Sequence, residues 1–574
     1  MKKELVFKII KIASLVLSLF NLLMYFSMRC CWSGISKTLG YEKNYDQFIL
    51  DFPVIVFFVL LAIAITNILL FKLMKKEQNL WSIIMISVNF IFTIAVGVII
   101  ALGAIDYMYF IMPEFFKVSM ITALVFFVIF MIFIYPKTHL VENKAFKYSI
   151  FSALLLIAVL YVVKFSINTI EYKPVVYAVE DKYQIVFGTS AEALGWVEID
   201  GVKYTDTYAG SEKSFTKVHK IEVPMEVLDN AKEYSIHSQK FFYRGPFGAI
   251  KDIEISENYS FRGVDASDGI NYYALADIHM ELDGAVKAAE YNKDKEFLVL
   301  AGDIISLMNT HDDAFYTGKV AHALTKGEIP VVYARGNHEI KGDYSEEFYK
   351  YVGSKNENFY YNFYFDNIYG IVLDLGEDHD DDWWEYYDTA HFVEYQQEQV
   401  EFVKAELESE NYKNYDYKMM VCHIPVNYIN SRKNHTEIKK ELTSLLNQMN
   451  LDIALSGHQH DLWVFEPNTV TPFEKMPYNP NYKQGTKKGQ VTDFNFPTFL
   501  ISKRGYTQND SNKLTNKIHI GLTVKVDLNT NTETVIYNHS DGGKVYMVNP
   551  FANISYGEEI VINLDTKVFK KIES

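Results

Sequence analysis

The 574-residue chain holds only three cysteines, and their placement excludes two designs at once. Cys30 and Cys31 are adjacent near the start, so the region after residue 170 contains Cys422 alone and forms no internal disulfide. A domain stapled by bridges, common outside the cell, is excluded there, and a thiolate-rich site for soft metals is excluded with it. A basic stripe is missing too. Residues 1–170 hold 15 Lys and Arg against 8 Asp and Glu, which leaves −23 for the remainder of a chain whose total is −16. Such a remainder repels polyanions, so no nucleic-acid partner is expected.

What the chain does have is apolar length at its start. Segments near 5–28, 52–74, 80–105, 115–135 and 147–168 reach the roughly 20 residues that a spanning helix needs. The first lacks a small-residue cleavage site and is followed by four more, so it is expected to be retained rather than removed as a leader. Lys and Arg in the short loops fall eight to four in favour of the side that carries Lys2 and Lys3. That bias makes this side cytoplasmic. With five spans, everything after residue 170 is expected outside the cell, on a multi-pass protein of the cell membrane with the lipid bilayer as partner. Few ionisable residues interrupt the spans, mainly Lys11 and Lys164 near their ends, whereas a transport pathway usually shows intramembrane charge.

Between Lys173 and Arg262 the pattern changes to short alternating runs such as YQIVFGTS, GWVEIDGVKY, HKIEVPM and EYSIHSQKFFY, divided by turn residues. Regular short strands of this kind predict a β-sandwich. After residue 266 apolar runs alternate with the amphipathic stretches ELDGAVKAAEYN, AFYTGKVAHALTK and HFVEYQQEQVEFVKAELES, which read as helices linking parallel strands.

Those apolar runs share one feature. YYALADIHM ends in Asp277 and His279, FLVLAGD in Asp303, PVVYARGNHE in Asn337 and His338, GIVLDLGED in Asp374, KMMVCH in His423, and DIALSGHQH in His458 and His460. Ligand and catalytic groups gather beyond the carboxyl ends of strands in layered α/β folds, so these side chains are expected to converge. Alternate residues of a strand point to one side, and Asp277 and His279 would grip one ion together if their run stays extended.

In this order, Asp277-Ile278-His279, Gly302-Asp303, Gly336-Asn337-His338-Glu339, His423 and Gly457-His458-Gln459-His460 resemble the calcineurin-like metallophosphoesterase superfamily. The resemblance covers roughly residues 270–505 and implies an α/β/β/α sandwich holding two divalent ions. It places one ion on Asp277, His279, Asp303 and His460 and the other on Asp303, Asn337, His423 and His458, with Asp303 bridging. It makes His338 the proton donor to the leaving alkoxide, and the related RGNHE motif of protein phosphatases suggests Arg335 as a fork onto phosphoryl oxygens. Imidazole, carboxylate and amide ligands without thiolate suit Mn, Zn or Fe.

Two positions depart from subfamily patterns. Purple acid phosphatases place a tyrosine three residues after the bridging aspartate, and protein phosphatases an aspartate that orients the catalytic histidine, whereas this chain has Ser306. Purple acid phosphatases also have glycine where His279 stands, so a uniform divalent pair is favoured over a ferric tyrosinate centre. The strand region before the catalytic motifs resembles their fibronectin type III-like domain. The acidic, aromatic stretch GEDHDDDWWEYYDTAHF offers His379, Asp381 and Trp383 as substrate contacts.

The expected architecture is therefore multi-domain: an α-helical membrane bundle at 1–170, a fibronectin III-like β-sandwich at 171–265, a metallophosphoesterase domain at 266–545, and C-terminal strands at 546–574. The hairpin IHIGLTVKVDLNTNTETVIYNH is expected to close the second sheet of the catalytic domain. The expected function is a membrane-anchored, outward-facing phosphoesterase acting on a small phosphomonoester or phosphodiester. The alternative is a transport or sensing protein whose outer domain binds a phosphorylated ligand without turnover.

Overall fold

The computed structural model describes residues 168–570 except 207–214, 246–247, 252, 387–388, 431–434, 461, 473, 476–487, 502–518, 546 and 550–553, with seven further positions in the first 167. Those seven apart, the five expected spans lie outside the described residues. Among the described residues no helix is long and apolar enough to cross a membrane.

Residues 163–574 form one compact unit built on two large sheets. Along the chain the strands that matter are β1 (Ile170–Val179), β2 (Lys182–Ile199), β3 (Gly269–Leu275), β4 (Phe297–Ala301), β5 (Val331–Ala334), β6 (Tyr361–Phe365), β7 (Ile368–Leu373), β8 (Tyr417–Cys422), β9 (Ile453–Ser456), β10 (Thr498–Leu500), β11 (Ile520–Asp527) and β12 (Thr532–His539). The helices that cover them are α1 (Leu282–Ala289), α2 (Tyr316–Thr325), α3 (Phe392–Ser409) and α4 (Thr436–Leu446). The first sheet contains the order β12-β11-β3-β4-β5-β1-β2, and the second runs β6-β7-β8-β9-β10. In the first, β3, β4, β5 and β1 are mutually parallel, and β7 to β10 are parallel in the second.

Strands buried on both faces read as continuous apolar runs, and this is why FLVLA and YKMMVC carry no alternation. Tyr272 and Ala274 of β3 turn toward the space between the sheets, with Val421 of β8 and Leu455 of β9 opposite in the same core. The residues between them, Tyr273 and Leu275, turn outward under α1 and α2. Leu373 and Cys422 do the same on the far side under α3 and α4. The result is the expected α/β/β/α sandwich with mixed sheets. Each fully buried Val or Leu in these layers contributes about 1.5–3 kcal/mol.

The strands expected at 171–265 form, but no edge separates them from the catalytic sheet. β1 pairs in parallel with β5, Tyr177 opposite Val331, and the residues inside this region belong to the same core as Tyr272 and Val299. Pairing of β1 with a strand some 150 positions later is a long-range event that no local pattern reports. The hairpin of β11 and β12 corrects another expectation. It adds to the first sheet, Val524 beside Tyr272, rather than closing the second. Part of the C-terminal segment, Ile560–Asn563, continues that sheet beyond β12.

One polar group sits between the sheets. Tyr272 and Tyr417 join their hydroxyls at 3.0 Å, and Tyr417 donates to Glu533 Oε1 at 2.7 Å. Glu533 Oε2 is buried and makes no hydrogen bond among the described residues. Burial pushes this carboxyl from the ordinary 4.5 up to about 8. Below pH 4.5 the group is neutral folded and unfolded. Above it only the unfolded chain ionises, so stability drains by about 1.4 kcal/mol per pH unit until the folded group ionises near 8. Glu533→Gln keeps an acceptor for Tyr417 and removes the drain. Its melting temperature should match the parent near pH 4.5 and exceed it increasingly toward pH 8; equal melting at pH 8 would contradict the assignment.

Candidate metal centre

Every residue of the site lies just past a strand end, with both sheets contributing. β3 delivers Asp277 and His279, β4 Asp303, and β5 Asn337 and His338; the second sheet delivers His423 after β8 and His458 and His460 after β9. Backbone bonds hold the loops in register beyond the strands: Asp277 N donates to Gly302 O at 3.0 Å, His279 N to Asp303 O at 2.9 Å, and Gly457 N to His423 O at 2.9 Å.

The loops are not extended. Asp277 (φ 53°), His279 (φ 47°), Asp303 (φ 53°), His458 (φ 71°) and His460 (φ 53°) all adopt the left-handed conformation. Asp277 and His279 therefore meet through a tight turn, not by strand alternation as the sequence suggested. Left-handed non-glycine residues cost about 1 kcal/mol or more each, and their clustering here marks a site over-determined by its surroundings. Glu339 supplies part of that determination. Its buried carboxylate accepts from the backbone of Asp303 (3.0 Å), Ile304 (2.6 Å), Ile305 (3.2 Å) and Gly336 (2.8 Å), which wraps the Asp303 turn around it. A side chain at Gly336 would place its Cβ 2.3 Å from Asp303 N and Oδ1, so the motif requires glycine there.

The structure brings all seven expected ligands together. Ligand atoms of Asp277, His279, Asp303 and His460 lie within 4.8 Å of one another, as do those of Asp303, His423 and His458. His460 Nε2 is 3.2 Å from Asp277 Oδ1, and His423 Nε2 is 3.2 Å from Asp303 Oδ2. Asn337 Oδ1 faces His458 Nδ1 at 3.1 Å. Asp303 belongs to both groups.

Two observations test whether cations fit. His423 Nδ1 donates to Ala301 O at 2.7 Å, which leaves Nε2 as the nitrogen turned toward the site, and that buried atom makes no hydrogen bond among the described residues. His279 Nε2 faces His460 Nε2 at 3.3 Å. Imidazole nitrogens directed at one another and at carboxylates are the ligand types that transition-metal cations take. Burial alone would raise Asp303, but His423, His338 and His279 hold its carboxyl well below the usual carboxylate range. For His423, burial is outweighed by Asp303, and the imidazole is pushed up to about 10.

His338 answers the question raised by Ser306. Its Nδ1 donates to the backbone carbonyl of Ser306 at 2.9 Å, so no side chain at 306 is needed to orient it. Its backbone N donates to Asp303 Oδ1 at 2.9 Å, and its Nε2 lies 3.9 Å from Asp303 Oδ2, at the mouth of the site.

Arg335 is placed differently from the phosphate-fork expectation. Its Nε and Nη2 lie 2.8 and 2.7 Å from Asp374 Oδ2, and its guanidinium stacks 4.2 Å from the Phe359 ring. Asp374 also accepts from Tyr395. Both strand-end charges thus neutralise each other. Asp381 accepts from the Phe392 backbone N at 2.9 Å and caps α3. The His379 ring lies 4.6 Å from that of Trp383, tilted by 39°. The charges missed in the sequence are Glu377 and Asp378, both buried beside Asn337 and His458. Their signal was a pair of carboxylates directly after a strand-end aspartate.

Residues 270–462 match the family of calcineurin-like phosphoesterases. These residues form a calcineurin-like phosphoesterase domain. Such a domain is a metal-dependent phosphoester hydrolase, and the ligand loops just described all fall within its span. A comparison with curated proteins returns no match. Among solved structures, the purple acid phosphatase PPD1 from yellow lupin (Lupinus luteus) seeds is similar over 69% of this chain and 75% of its own, at 13% identity and TM-score 0.43. PhoD is similar over 70% and 92%, at 11% identity and TM-score 0.40. GAP50, the anchor in the inner membrane complex of Plasmodium, is similar over 51% and 89%, at 12% identity and TM-score 0.30. The phosphoesterase domain is assigned on the family match, not on these distant likenesses.

Proposed function

We infer that the chain is a membrane-anchored, outward-facing phosphoesterase that hydrolyses a small phosphomonoester or phosphodiester. The observation that carries the reading is the convergence of seven ligands from five loops inside the family-matched span. Asp277, His279, Asp303 and His460 would hold one divalent ion, and Asp303, Asn337, His423 and His458 the other. When bound, such a pair supplies hydroxide from water at neutral pH and offsets charge on the phosphoryl oxygens.

The remaining work falls to His338. With Nδ1–H committed to Ser306 O, Nε2 is the nitrogen that gains and loses a proton. It gives that proton to the leaving alkoxide, a contribution of about 100- to 10,000-fold for general acids. Arg335, committed to Asp374 and Phe359, sets the shape of the loop that presents Asn337 and His338. Anchoring and outward orientation are supported by the apolar segments and the Lys and Arg bias of the first 170 residues.

The test is a metal analysis of the purified full chain with turnover of p-nitrophenyl phosphate and bis-p-nitrophenyl phosphate. About two transition-metal ions per chain and chelator-sensitive turnover of one ester are expected; no bound metal with no turnover of either would end the reading. Protease added to intact cells should remove the catalytic region. Its survival would place that region inside.

A further inference from the structure

Asn337 and His458 stand in an arrangement that two isolated side chains would avoid. His458 Nε2 lies 3.2 Å from Asp378 Oδ2, and an ionised carboxylate only accepts, so Nε2 carries the proton. In the neutral imidazole, the form that ligates a cation, the lone pair is thereby left on Nδ1. On the other side, Asn337 Nδ2 donates to Glu377 Oε2 at 3.1 Å, which turns the amide oxygen away from that carboxylate. The outcome is that His458 Nδ1 and Asn337 Oδ1, both acceptors, face each other at 3.1 Å.

The alternative state is easy to name. With the proton on Nδ1, His458 would donate to Asn337 Oδ1, and the two would satisfy each other as a plain hydrogen bond. We propose that Glu377 and Asp378 act as positioning residues that forbid this bond and so keep Asn337 and His458 open as ligands of the second ion. The proposal rests on the two-metal reading above. Each carboxylate fixes one ligand: Asp378 selects the imidazole tautomer, and Glu377 selects the amide orientation. Outer partners of this kind commonly change metal affinity by about 10- to 100-fold.

The loop is built to hold that geometry. Glu377 Oε2 also accepts from Tyr386, and Lys341 Nζ approaches it at 3.8 Å. Glu377 Oε1 accepts from the Asp378 backbone N at 2.8 Å and lies 3.2 Å from His379 Nδ1. Gln396 fixes the backbone on both flanks through Leu375 O (2.6 Å) and Glu377 O (3.1 Å). Asp378 reaches His458 and Glu377 reaches Asn337, both ligands of the second ion, so the effect is expected at that site.

Titration of the metal-free full chain with Mn²⁺ tests this, using calorimetry for affinity and electron paramagnetic resonance for the spin-coupled pair. The wild type should bind two ions and show coupling. Asp378→Asn and Glu377→Gln should each keep one ion at parental affinity, weaken the other about 10- to 100-fold, and show the spectrum of an isolated ion at one equivalent. Asp378→Glu should recover part of the loss, which a purely structural defect would not. Two ions at unchanged affinity in both variants overturns the proposal, as does simultaneous loss of both. A wild type that binds no pair removes the function proposed above instead.

Discussion

Asp303→Ala is expected to lose both metal ions in one step and to reduce turnover to background. Among the described residues, Asp303 is the side chain that belongs to both ligand groups. Its Oδ2 lies 3.2 Å from His423 Nε2 and 3.8 Å from His279 Nε2, on opposite sides of the site. Its Oδ1 accepts from the His338 backbone N, so the substitution also frees the turn that carries the proton donor. Without the carboxylate, the imidazoles around it lose the negative charge that offsets bound cations, and leaving buried charge uncompensated is costly. The measurement is metal content alongside turnover. An Asp303→Ala protein that still carries two ions would mean that the bridge is elsewhere and the assignment of both sites is wrong.

His338→Ala is the second large effect, and it should separate the two properties. The imidazole is oriented by Ser306 O and lies 3.9 Å from Asp303 Oδ2, and the hydrogen bond to Asp303 Oδ1 comes from the His338 backbone N, which the substitution keeps. Metal content should therefore stay at the parental level. Turnover of an alkyl phosphoester should fall by about 100- to 10,000-fold, the range for a lost general acid. An ester of p-nitrophenol, whose leaving group departs without a proton, should lose far less. Equal losses on the two esters would remove the proton-donor role. Loss of metal would reassign His338 as a ligand.

Much of this site was legible because its chemistry sits at strand ends, and strand ends are where apolar runs stop. Asp303 and His423 each close a run that is buried on both faces, a pattern visible in one dimension. What the runs did not carry was backbone conformation past their ends. Asp277 and His279 looked like alternate residues of a strand, yet both turn left-handed, because Asp303 and Ile304 carbonyls capture the amides of His279 and Met280. Nor did the runs say which charges would neutralise each other. Arg335 and Asp374 occupy equivalent places after β5 and β7, and only the folded chain shows that they pair. Glu377 and Asp378 were hidden for the complementary reason: an acidic loop reads as solvated, whereas both residues are buried against amide and imidazole. The join at residue 265 was illegible because pairing of β1 with β5 brings together distant parts of the chain.

That last pairing decides how the molecule can be divided. A fragment beginning at residue 266 would strip β5 of its neighbour on the β1 side and leave the apolar Val331–Ala334 as an exposed edge. Exposed rims of that kind recruit strands from other molecules, and the fragment would tend to aggregate. It would lose further ties as well, such as Lys220 to Ser354 Oγ and Gln184 to the Ser354 carbonyl. The segment from Ile170 thus shares one sheet and one compact unit with the hydrolase half, and the two are expected to fold as a single piece.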